Sequence, residues 1–316
     1  MKLKKEASIA SNNEKILFIY FFQPFAQYRN PLTFYYAQSY PLPPKTTIVG
    51  FLQNITRRYF DESFWELKVS IHGGFESRFW NFQQLIGTKS LFFAQYGNRM
   101  YLHADFDGRK SPLYGIQTRL IAKAYRSGAT RQEELFNGHI FMFIRGDAEL
   151  LEEIYNALRS PPQVLRLGRS EDVVFVRDLR WMPDSDATAE IREVKQSIEL
   201  IFPTYIRLSD KLRLKERSLR RFATFTIPVR QKFYILKTTR KRAKDYLETP
   251  AQSLSELFSY RFEARRRDID FETVIWTGFN AVLEFEEPTN VLFVRIKNRT
   301  TGDILRFRIV EDYGWL

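Results

Sequence analysis

The chain contains no cysteine and only three histidines, His72, His103 and His139. The lack of cysteine excludes disulfides, thiolate metal ligands and a cysteine nucleophile, and it fits the reducing environment of the cytoplasm. With only three histidines, spread along the chain, a metal site built from several imidazoles is unfavourable. The sequence therefore predicts a cytoplasmic protein that uses no metal ion or other cofactor.

Long apolar runs are also missing. No stretch approaches the roughly 20 apolar residues that a helix needs to cross a bilayer. Residues 1–14 are polar and rich in lysine, without the apolar core of a signal peptide, and we expect them to form a flexible tail. These patterns predict a protein that is neither secreted nor bound to a membrane.

Aromatic residues, in contrast, are abundant, with 29 Phe and 16 Tyr. A chain of 316 residues with 44% hydrophobic content can bury a sizeable core. We expect that some rings are not needed in this core and stay available for stacking at the surface.

Positive charge is concentrated in one segment. The chain has 49 Lys and Arg against 37 Asp and Glu, a formal net charge of +12. Residues 205–267 hold 18 of these basic residues and 6 of the acidic ones, so the net charge of this segment equals that of the whole chain. An excess of this size predicts an anionic partner.

The hydrophobic pattern of residues 15–182 alternates strands with two helices. The first helix is expected after Pro44, capped by Thr46 or Thr47 and ending near Arg58, and the second is expected after Asp147. A strand that ends at Gly73-Gly74 leads into a long hairpin at about 75–128, which we call the thumb. The expected order is a strand at 15–22, the first helix, a strand at 65–71, the thumb, a strand at 139–145, the second helix and a strand at 172–180. This order predicts an α+β fold of the ferredoxin-like, RNA-recognition type over residues 15–182.

Residues 183–316 are expected to form a basic, β-rich C-terminal subdomain. The polar stretch 183–188 predicts a linker, and strands are expected at 222–229 and 232–238. A hairpin with strands at 291–297 and 304–310 is expected to pack on the first domain.

Two stretches, in this order, resemble the fifth family of CRISPR-associated proteins, which are members of the RAMP superfamily. The first is Tyr40-Pro-Leu-Pro-Pro-Lys-Thr-Thr-Ile-Val-Gly50 after the first strand, and the second is Leu167-Gly-Arg-Ser-Glu-Asp172 after the second helix. The C-terminal Asp312-Tyr-Gly-Trp-Leu316 is similar to the usual ending of the family. The resemblance covers roughly residues 15–182.

The resemblance implies a RAMP domain with a β-hairpin thumb that binds the 5′ handle of the guide RNA (crRNA) in a type I Cascade surveillance complex, of type I-B or I-A. Its neighbours would be the backbone subunits and the large subunit of Cascade. In such complexes base pairing recognises the target, while the protein holds the RNA backbone and shape.

The two motifs contain candidate RNA-binding residues. Lys45, Thr46 and Thr47 lie at a helix N-terminus, where free N–H groups bind phosphate, although an ordinary capped helix has the same sequence. Glycine lets backbone approach a phosphate closely and a guanidinium binds its oxygens, so the second motif adds Gly168 and Arg169, and Arg166 directly before it is a further candidate. A turn in which Arg169 pairs with Glu171 or Asp172 is the alternative.

Three further groups complete the candidates. Tyr28 and Arg29 could receive an unpaired base, although a solvated loop is an equal alternative. The thumb would supply electrostatic attraction through six basic residues, unless these are simply solvated: Arg99, Arg109, Lys110, Arg119, Lys123 and Arg126. A basic patch in 205–267 would contact RNA or target DNA, or dock on an acidic neighbouring subunit: Lys211, Arg213, Arg217, Arg220, Arg221, Arg240, Lys241, Arg242, Arg265, Arg266 and Arg267.

Some relatives cleave repeat RNA without a metal ion, using a Tyr, Lys and His type of acid–base site. This chain has Tyr101 and His103 in the thumb, but no Lys-His pair. We therefore expect no ribonuclease activity. A metal-independent endoribonuclease and the equivalent subunit of a type III effector complex are the alternative functions.

Overall fold

The computed structural model describes residues 15–33, 36–84, 92–96, 99–103, 129–209, 211–238, 246–253, 255–256, 265–299 and 301–316. Within these residues the strands are β1 Ile16–Ala26, β2 Lys68–Gln84, β3 Phe92–Tyr96, β4 Arg99–His103, β5 Ala129–Arg145, β6 Phe175–Met182, β7 Ala187–Val194, β8 Ser197–Leu200, β9 Tyr205–Arg207, β10 Ala223–Thr238, β11 Tyr246–Pro250, β12 Arg265–Trp276, β13 Ala281–Glu284, β14 Thr289–Lys297 and β15 Ile304–Val310. The α-helices are α1 Lys45–Thr56, α2 Ala148–Arg159 and α3 Glu216–Arg221, with a 3-10 helix at Glu62–Glu66. The described chain is thus a mixed α/β structure of mostly antiparallel sheets with few helices.

A four-stranded antiparallel sheet with the order β2-β5-β1-β6 organises the first half of the chain. Strand β1 is central because its apolar, β-branched and aromatic run is buried on both faces. The expected strand at 15–22 is present and continues to Ala26.

Helices α1 and α2 cover one face of this sheet. Ile48 and Leu52 of α1 and Ile154 of α2 are fully buried against Leu17 and Ile19 of β1. Asp147 caps α2 as expected, because its side chain accepts a hydrogen bond from the Leu150 N–H at 2.9 Å.

The expected threonine cap of α1 is wrong. The N-cap is Pro44, whose extended backbone places its carbonyl to accept hydrogen bonds from the N–H groups of Thr47 at 3.0 Å and Ile48 at 3.2 Å. No side chain caps this helix. The helix therefore begins at Lys45 and includes both threonines in its first turn.

The expected end of the second strand at Gly73-Gly74 is also wrong. Strand β2 continues to Gln84 and pairs with β5 in one register, from Lys68 opposite Arg145 to Gln84 opposite Ala129. At Gly73, with φ of +112°, a Cβ would lie 2.0 Å from the carbonyl oxygen of His139. Glycine here permits a close approach of two backbones, so it continues the strand.

The paired ends of β2 and β5 form the base of a long ribbon at the position expected for the thumb. Strands β3 and β4, which the sequence places between them, pair with each other from Phe92 opposite His103 to Tyr96 opposite Arg99. Residues 85–91, 97–98 and 104–128 of the expected thumb lie outside the described residues.

The C-terminal hairpin packs on the other face of the first sheet, as expected. Strands β14 and β15 pair, and β14 also pairs with β7. Their Leu292 and Phe307 are buried against Phe18 and Phe143 of the first sheet. The stretch expected as a linker is a tight turn, since the Asp184 N–H donates to the Ala187 carbonyl at 3.1 Å and β7 begins at Ala187.

The remaining strands form a ribbon that packs beside α1. Strand β10 is one strand and not the two that were expected, and it pairs with β11 and β12. Its Ile227, with Tyr205 of β9 and Val274 of β12, is buried in the same core as α1. At the chain end, Leu316 exchanges two backbone hydrogen bonds with Val69 of β2. Among the described residues, no helix is both long and apolar enough to span a membrane.

Candidate nucleic-acid interface

A cleft of about 560 Å³ opens between the N-terminal turns of α1, the loop 166–172 and strand β10. It brings together six of the residues predicted from the sequence: Arg29, Thr46, Thr47, Arg166, Gly168 and Arg169. None of the described residues that line it is acidic. The two motif segments, which lie far apart in the chain, therefore form the walls of one cationic cleft.

The first wall is the start of α1. Pro44, Thr46, Thr47 and Gly50 face the cleft. The N–H groups of Lys45 and Thr46 belong to the first turn and have no partner within the helix. Free N–H groups and the positive end of the helix dipole suit a phosphate oxygen.

Two tyrosine hydroxyls, one from the segment before α1 and one from β9, hold that segment in place. The hydroxyl of Tyr40 donates to the carbonyl of Thr226 in β10 at 2.8 Å. The hydroxyl of Tyr205 in β9 accepts from the Leu42 N–H at 3.1 Å and lies 2.9 Å from the Leu42 carbonyl. The C-terminal half of the chain thus positions the first motif.

Lys45 does not line the cleft. Its Nζ donates to the carbonyl oxygen of Trp65 at 2.9 Å, at the end of the 3-10 helix. Burial lowers the pKa of Lys45 to about 8, although Glu272 and Glu66 act against this. The expected phosphate contact by this ammonium group does not fit its position, because the side chain is directed to the protein interior.

The second wall is the loop 166–172, which Asp172 organises. The fully buried carboxylate of Asp172 accepts hydrogen bonds from the N–H of Gln27 at 3.0 Å and that of Arg169 at 2.7 Å. Gly168 has φ of +116°, and a Cβ there would lie 2.7 Å from Asp172 Oδ2. The glycine is therefore required by the packing of the loop on this carboxylate.

Arg169 pairs with acidic residues, which was the alternative interpretation of this motif. Its guanidinium contacts Asp172, Glu134 at 3.0 Å and Glu171 at 3.3 Å, and its side chain is only 19% exposed. These carboxylates raise the pKa of Arg169 against the opposing effect of burial. Arg169 lines the cleft, but its charge is largely balanced within the protein.

Arg29 and Arg166 are the exposed cations of the cleft. Within the described residues neither makes an ion pair. The expectation for the neighbouring Tyr28 is wrong, because this ring is only 2% exposed and its hydroxyl donates to Gln23. It belongs to the core and is inaccessible to a nucleotide base.

The family model for CRISPR-associated protein (Cas_Cas5) matches residues 16–233, more than half of the chain. The chain belongs to the Cas_Cas5 family. The match extends beyond residue 182, where the sequence resemblance was expected to fade, and it includes much of β10. No curated protein matches the chain.

The Cas_Cas5 chain is also similar to chains of solved structures. One, from a CRISPR RNA-guided surveillance complex, has 10% identity and a TM-score of 0.39, covering 82% of this chain and 91% of the other. A CRISPR protein from Archaeoglobus fulgidus has 14% identity and a TM-score of 0.35, covering 93% and 99%. A chain of the type III-B Cmr-beta complex bound to cognate target RNA and AMPPnP has 14% identity and a TM-score of 0.29, covering 86% of each chain. All three TM-scores lie below 0.5, so the family assignment rests on the family model.

The thumb residues of this Cas_Cas5 chain fall mostly outside the described part. Arg99 begins β4. The other five predicted thumb cations lie outside the described residues: Arg109, Lys110, Arg119, Lys123 and Arg126.

The expected basic patch is divided. Lys211, Arg213 and Arg221 are exposed near α3, where Arg217 pairs with Glu284 and Arg220 pairs with Glu216. Three other members, Arg265, Arg266 and Arg267, lie in β12 opposite Ile235, Tyr234 and Phe233 of β10. Because α3 immediately precedes β10, roughly 40 Å of strand separates the two groups at about 3.3 Å per residue. Arg240, Lys241 and Arg242 lie outside the described residues.

The sequence did not reveal all of the cleft. Pro228 and Gln231 of β10 and Ile269 of β12 line it beside Asn54 and Tyr59. Strands β10 and β12 reach α1 only through the tertiary fold, and no local pattern marks these residues as neighbours of the two motifs.

Proposed function

We propose that this Cas_Cas5 chain is a non-catalytic crRNA-binding subunit of a type I CRISPR Cascade surveillance complex. In this proposal the cleft holds the phosphate backbone of the 5′ handle of the guide RNA. The protein would act in the cytoplasm in defence against foreign DNA and would use no cofactor.

One observation carries the proposal. The two motif segments and Arg29 line a single cleft that has two exposed guanidinium groups and no acidic lining residue among those described. An anion that enters this cleft meets free helix N–H groups on one side and Arg29 and Arg166 on the other. Several such contacts along a chain of phosphates suit a nucleic-acid backbone.

The first sheet supports the finer fold assignment. Its strands have the order β2-β5-β1-β6, and all neighbouring pairs are antiparallel. Helix α1 follows β1 and α2 follows β5, as expected of a ferredoxin-like unit. We infer from this a ferredoxin-like RAMP domain from which the ribbon of β2 and β5 extends as the thumb.

The neighbours follow from the same proposal. A handle-binding subunit would contact the backbone subunits and the large subunit of Cascade. Lys211, Arg213 and Arg221 near α3 are exposed, and we propose that these cations contact phosphates of the target DNA.

A binding measurement tests the role of the cleft. Arg29→Ala combined with Arg166→Ala should weaken binding of the repeat-derived 5′ handle RNA by the purified protein. It should also reduce the slope of log affinity against log salt by about 1.4, since each phosphate contact on a single strand contributes about 0.7.

A matched control removes the same charge elsewhere. Arg295 and Arg306 are exposed partners on β14 and β15, far from the cleft in the fold. Arg295→Ala combined with Arg306→Ala should leave affinity nearly unchanged. Equal losses in the two double variants would show that only net charge matters and would contradict the proposal. Recovery of backbone subunits, a large subunit and one short RNA with the tagged protein would test the assembly.

A further inference from the structure

A row of rings crosses the first sheet on the face opposite the helices. Phe21 of β1 packs edge-on against Phe51 of α1, so the next residue, Phe22, lies on the other face. Phe22 is directly opposite Phe175 of β6 and His139 of β5. Directly opposed residues share a face, so these three rings form one line across three adjacent strands.

The row continues to the edge of the sheet. His139 is opposite Gly74 of β2, and a Cβ at Gly74 would lie 3.0 Å from the ring of Phe279. Phe279 therefore lies over the place where Gly74 has no side chain. The centroid of the Phe22 ring lies 6.4 Å from that of Phe175 and 5.5 Å from that of the His139 ring.

These rings are accessible, whereas the rest of the same face is covered. Phe175 is 48% and Phe279 57% exposed, and His139 is also exposed. Farther along the sheet, Phe18 and Phe143 are buried under the C-terminal hairpin. The hairpin thus covers one half of the face and leaves the aromatic half open. Exposed apolar area is unfavourable in water, and a patch of this kind indicates a binding surface.

The polar groups around the row favour a nucleotide over an apolar protein surface. The guanidinium of Arg177 lies 5.1 Å from the centre of the Phe22 ring and, within the described residues, makes no ion pair. His139 Nδ1 lies 2.6 Å from the hydroxyl of Tyr20, which fixes the orientation of the imidazole. Burial and the charge of Arg177 lower the pKa of His139, which favours the neutral ring. Two carboxylates near the row have partners of their own: Glu76 accepts a hydrogen bond from Asn137, and Asp178 pairs with Arg180.

From this arrangement we infer that the row Phe175, Phe22, His139 and Phe279 is a second RNA site, which stacks unpaired bases of single-stranded RNA while Arg177 contacts a phosphate. Flat rings on neighbouring strands match successive bases, and a cation beside them matches the backbone that joins the bases. This inference deepens the proposed function and rests on it, because it adds base contacts to the backbone contacts of the cleft.

The test uses the full-length protein and a short, fluorescently labelled oligoadenylate in anisotropy titrations at several salt concentrations. Phe175→Leu keeps an apolar side chain but removes the ring, and it should weaken binding at least about fivefold, since stacking contributes of the order of one to three kcal/mol per base. The salt slope should stay unchanged, because no charge is lost. Phe175→Trp should retain binding, and Ile191→Ala, at an exposed apolar residue of β7, should have no effect.

The outcomes separate this inference from the proposed function. If Arg29→Ala with Arg166→Ala weakens binding while Phe175→Leu does not, the second site is wrong and the cleft stands. If the native protein binds no oligoadenylate, the second site is wrong, and titration with the 5′ handle RNA still tests the cleft. If neither change alters binding of either RNA, both are overturned. If Phe175→Leu leaves RNA binding intact but abolishes association with another subunit, the row is a protein interface and the inference fails.

Discussion

The guanidinium of Arg169 lies against the buried carboxylate of Asp172, with Nη2 2.9 Å from Oδ1. The same carboxylate accepts hydrogen bonds from two backbone N–H groups, those of Gln27 and Arg169. Arg169 therefore balances a charge on which the shape of the loop 166–172 depends. Its main contribution is to the structure of the cleft, and Arg29 and Arg166 supply the accessible charge.

Arg169→Gln should destabilise the fold. Removing the guanidinium leaves the carboxylates of Asp172 and Glu134 in a poorly solvated place without their partner, and we expect a loss of about 2–4 kcal/mol in the free energy of unfolding. Arg166→Gln is the matched control, since this exposed residue should change stability by less than about 0.5 kcal/mol while weakening RNA binding. Urea unfolding of the three proteins checks this. Equal stability of Arg169→Gln and the native protein would contradict it.

Local features of the fold could be predicted from the sequence. The Asp147 cap, the first strand and the C-terminal hairpin each depend on residues close together in the chain, and the structure confirms them. The extent of β2 could not be predicted, because Gly73 reads as a break until its backbone contact with His139 is known.

Individual side chains of the site were harder to predict, because their positions depend on distant partners. Lys45 follows a proline motif and suggests a phosphate ligand, yet the carbonyl of Trp65 binds its ammonium group. Tyr28 precedes an exposed arginine and suggests a stacking ring, yet Gln23 and the core enclose it. A residue type indicates which contacts are available, and only the tertiary fold decides between the protein and a ligand.

Replacing Gly50 with alanine should stabilise the fold and weaken RNA binding. It lies in the middle of α1 and faces the cleft, and a Cβ there would meet nothing within 4 Å. Gly50→Ala should therefore raise the free energy of unfolding by about 0.5–1 kcal/mol through helix propensity. The affinity for handle RNA should fall, because the methyl group projects into the space proposed for the RNA backbone.

A second helical substitution provides the comparison for Gly50. Asn156→Ala on the exposed side of α2 should also stabilise the fold, by about 0.5 kcal/mol, without changing RNA affinity. Thermal unfolding and anisotropy titrations measure both effects. An unchanged RNA affinity of Gly50→Ala would mean that the RNA does not approach this turn of the helix.

His72 should make the fold sensitive to mild acid. Burial lowers the pKa of His72 from 6.5 to about 3, while the unfolded chain binds a proton near pH 6.5. The unfolded state therefore holds the extra proton between these values, and stability falls as the pH decreases from 6.5, by up to about 1.4 kcal/mol per pH unit. This contribution is fully present above pH 6.5.

The variant His72→Gln should lower the slope of unfolding free energy against pH between pH 6.5 and 5, because the unfolded variant no longer takes up this proton. Urea unfolding at each pH measures the slope. Ser70→Ala removes only the hydroxyl that lies 3.1 Å from His72 Nε2, and it should keep the dependence. If His72→Gln and the native protein show the same slope, this imidazole takes up its proton in the folded protein as well, and the prediction is wrong.

Purified protein incubated with 5′-labelled repeat RNA in EDTA should yield no discrete cleavage product. Efficient acid–base catalysis needs groups that exchange protons near the working pH. The hydrogen-bonded pair of Tyr20 and His139 does not provide this, because burial raises the pKa of Tyr20 and lowers that of His139, which moves both away from pH 7. His72 is enclosed in the core, and His103 lies in β4. Gel electrophoresis after long incubation, with His103→Ala and His139→Ala in parallel, checks the expectation. A discrete product that disappears in either variant would assign a ribonuclease site to that histidine and replace the non-catalytic proposal with an enzymatic one.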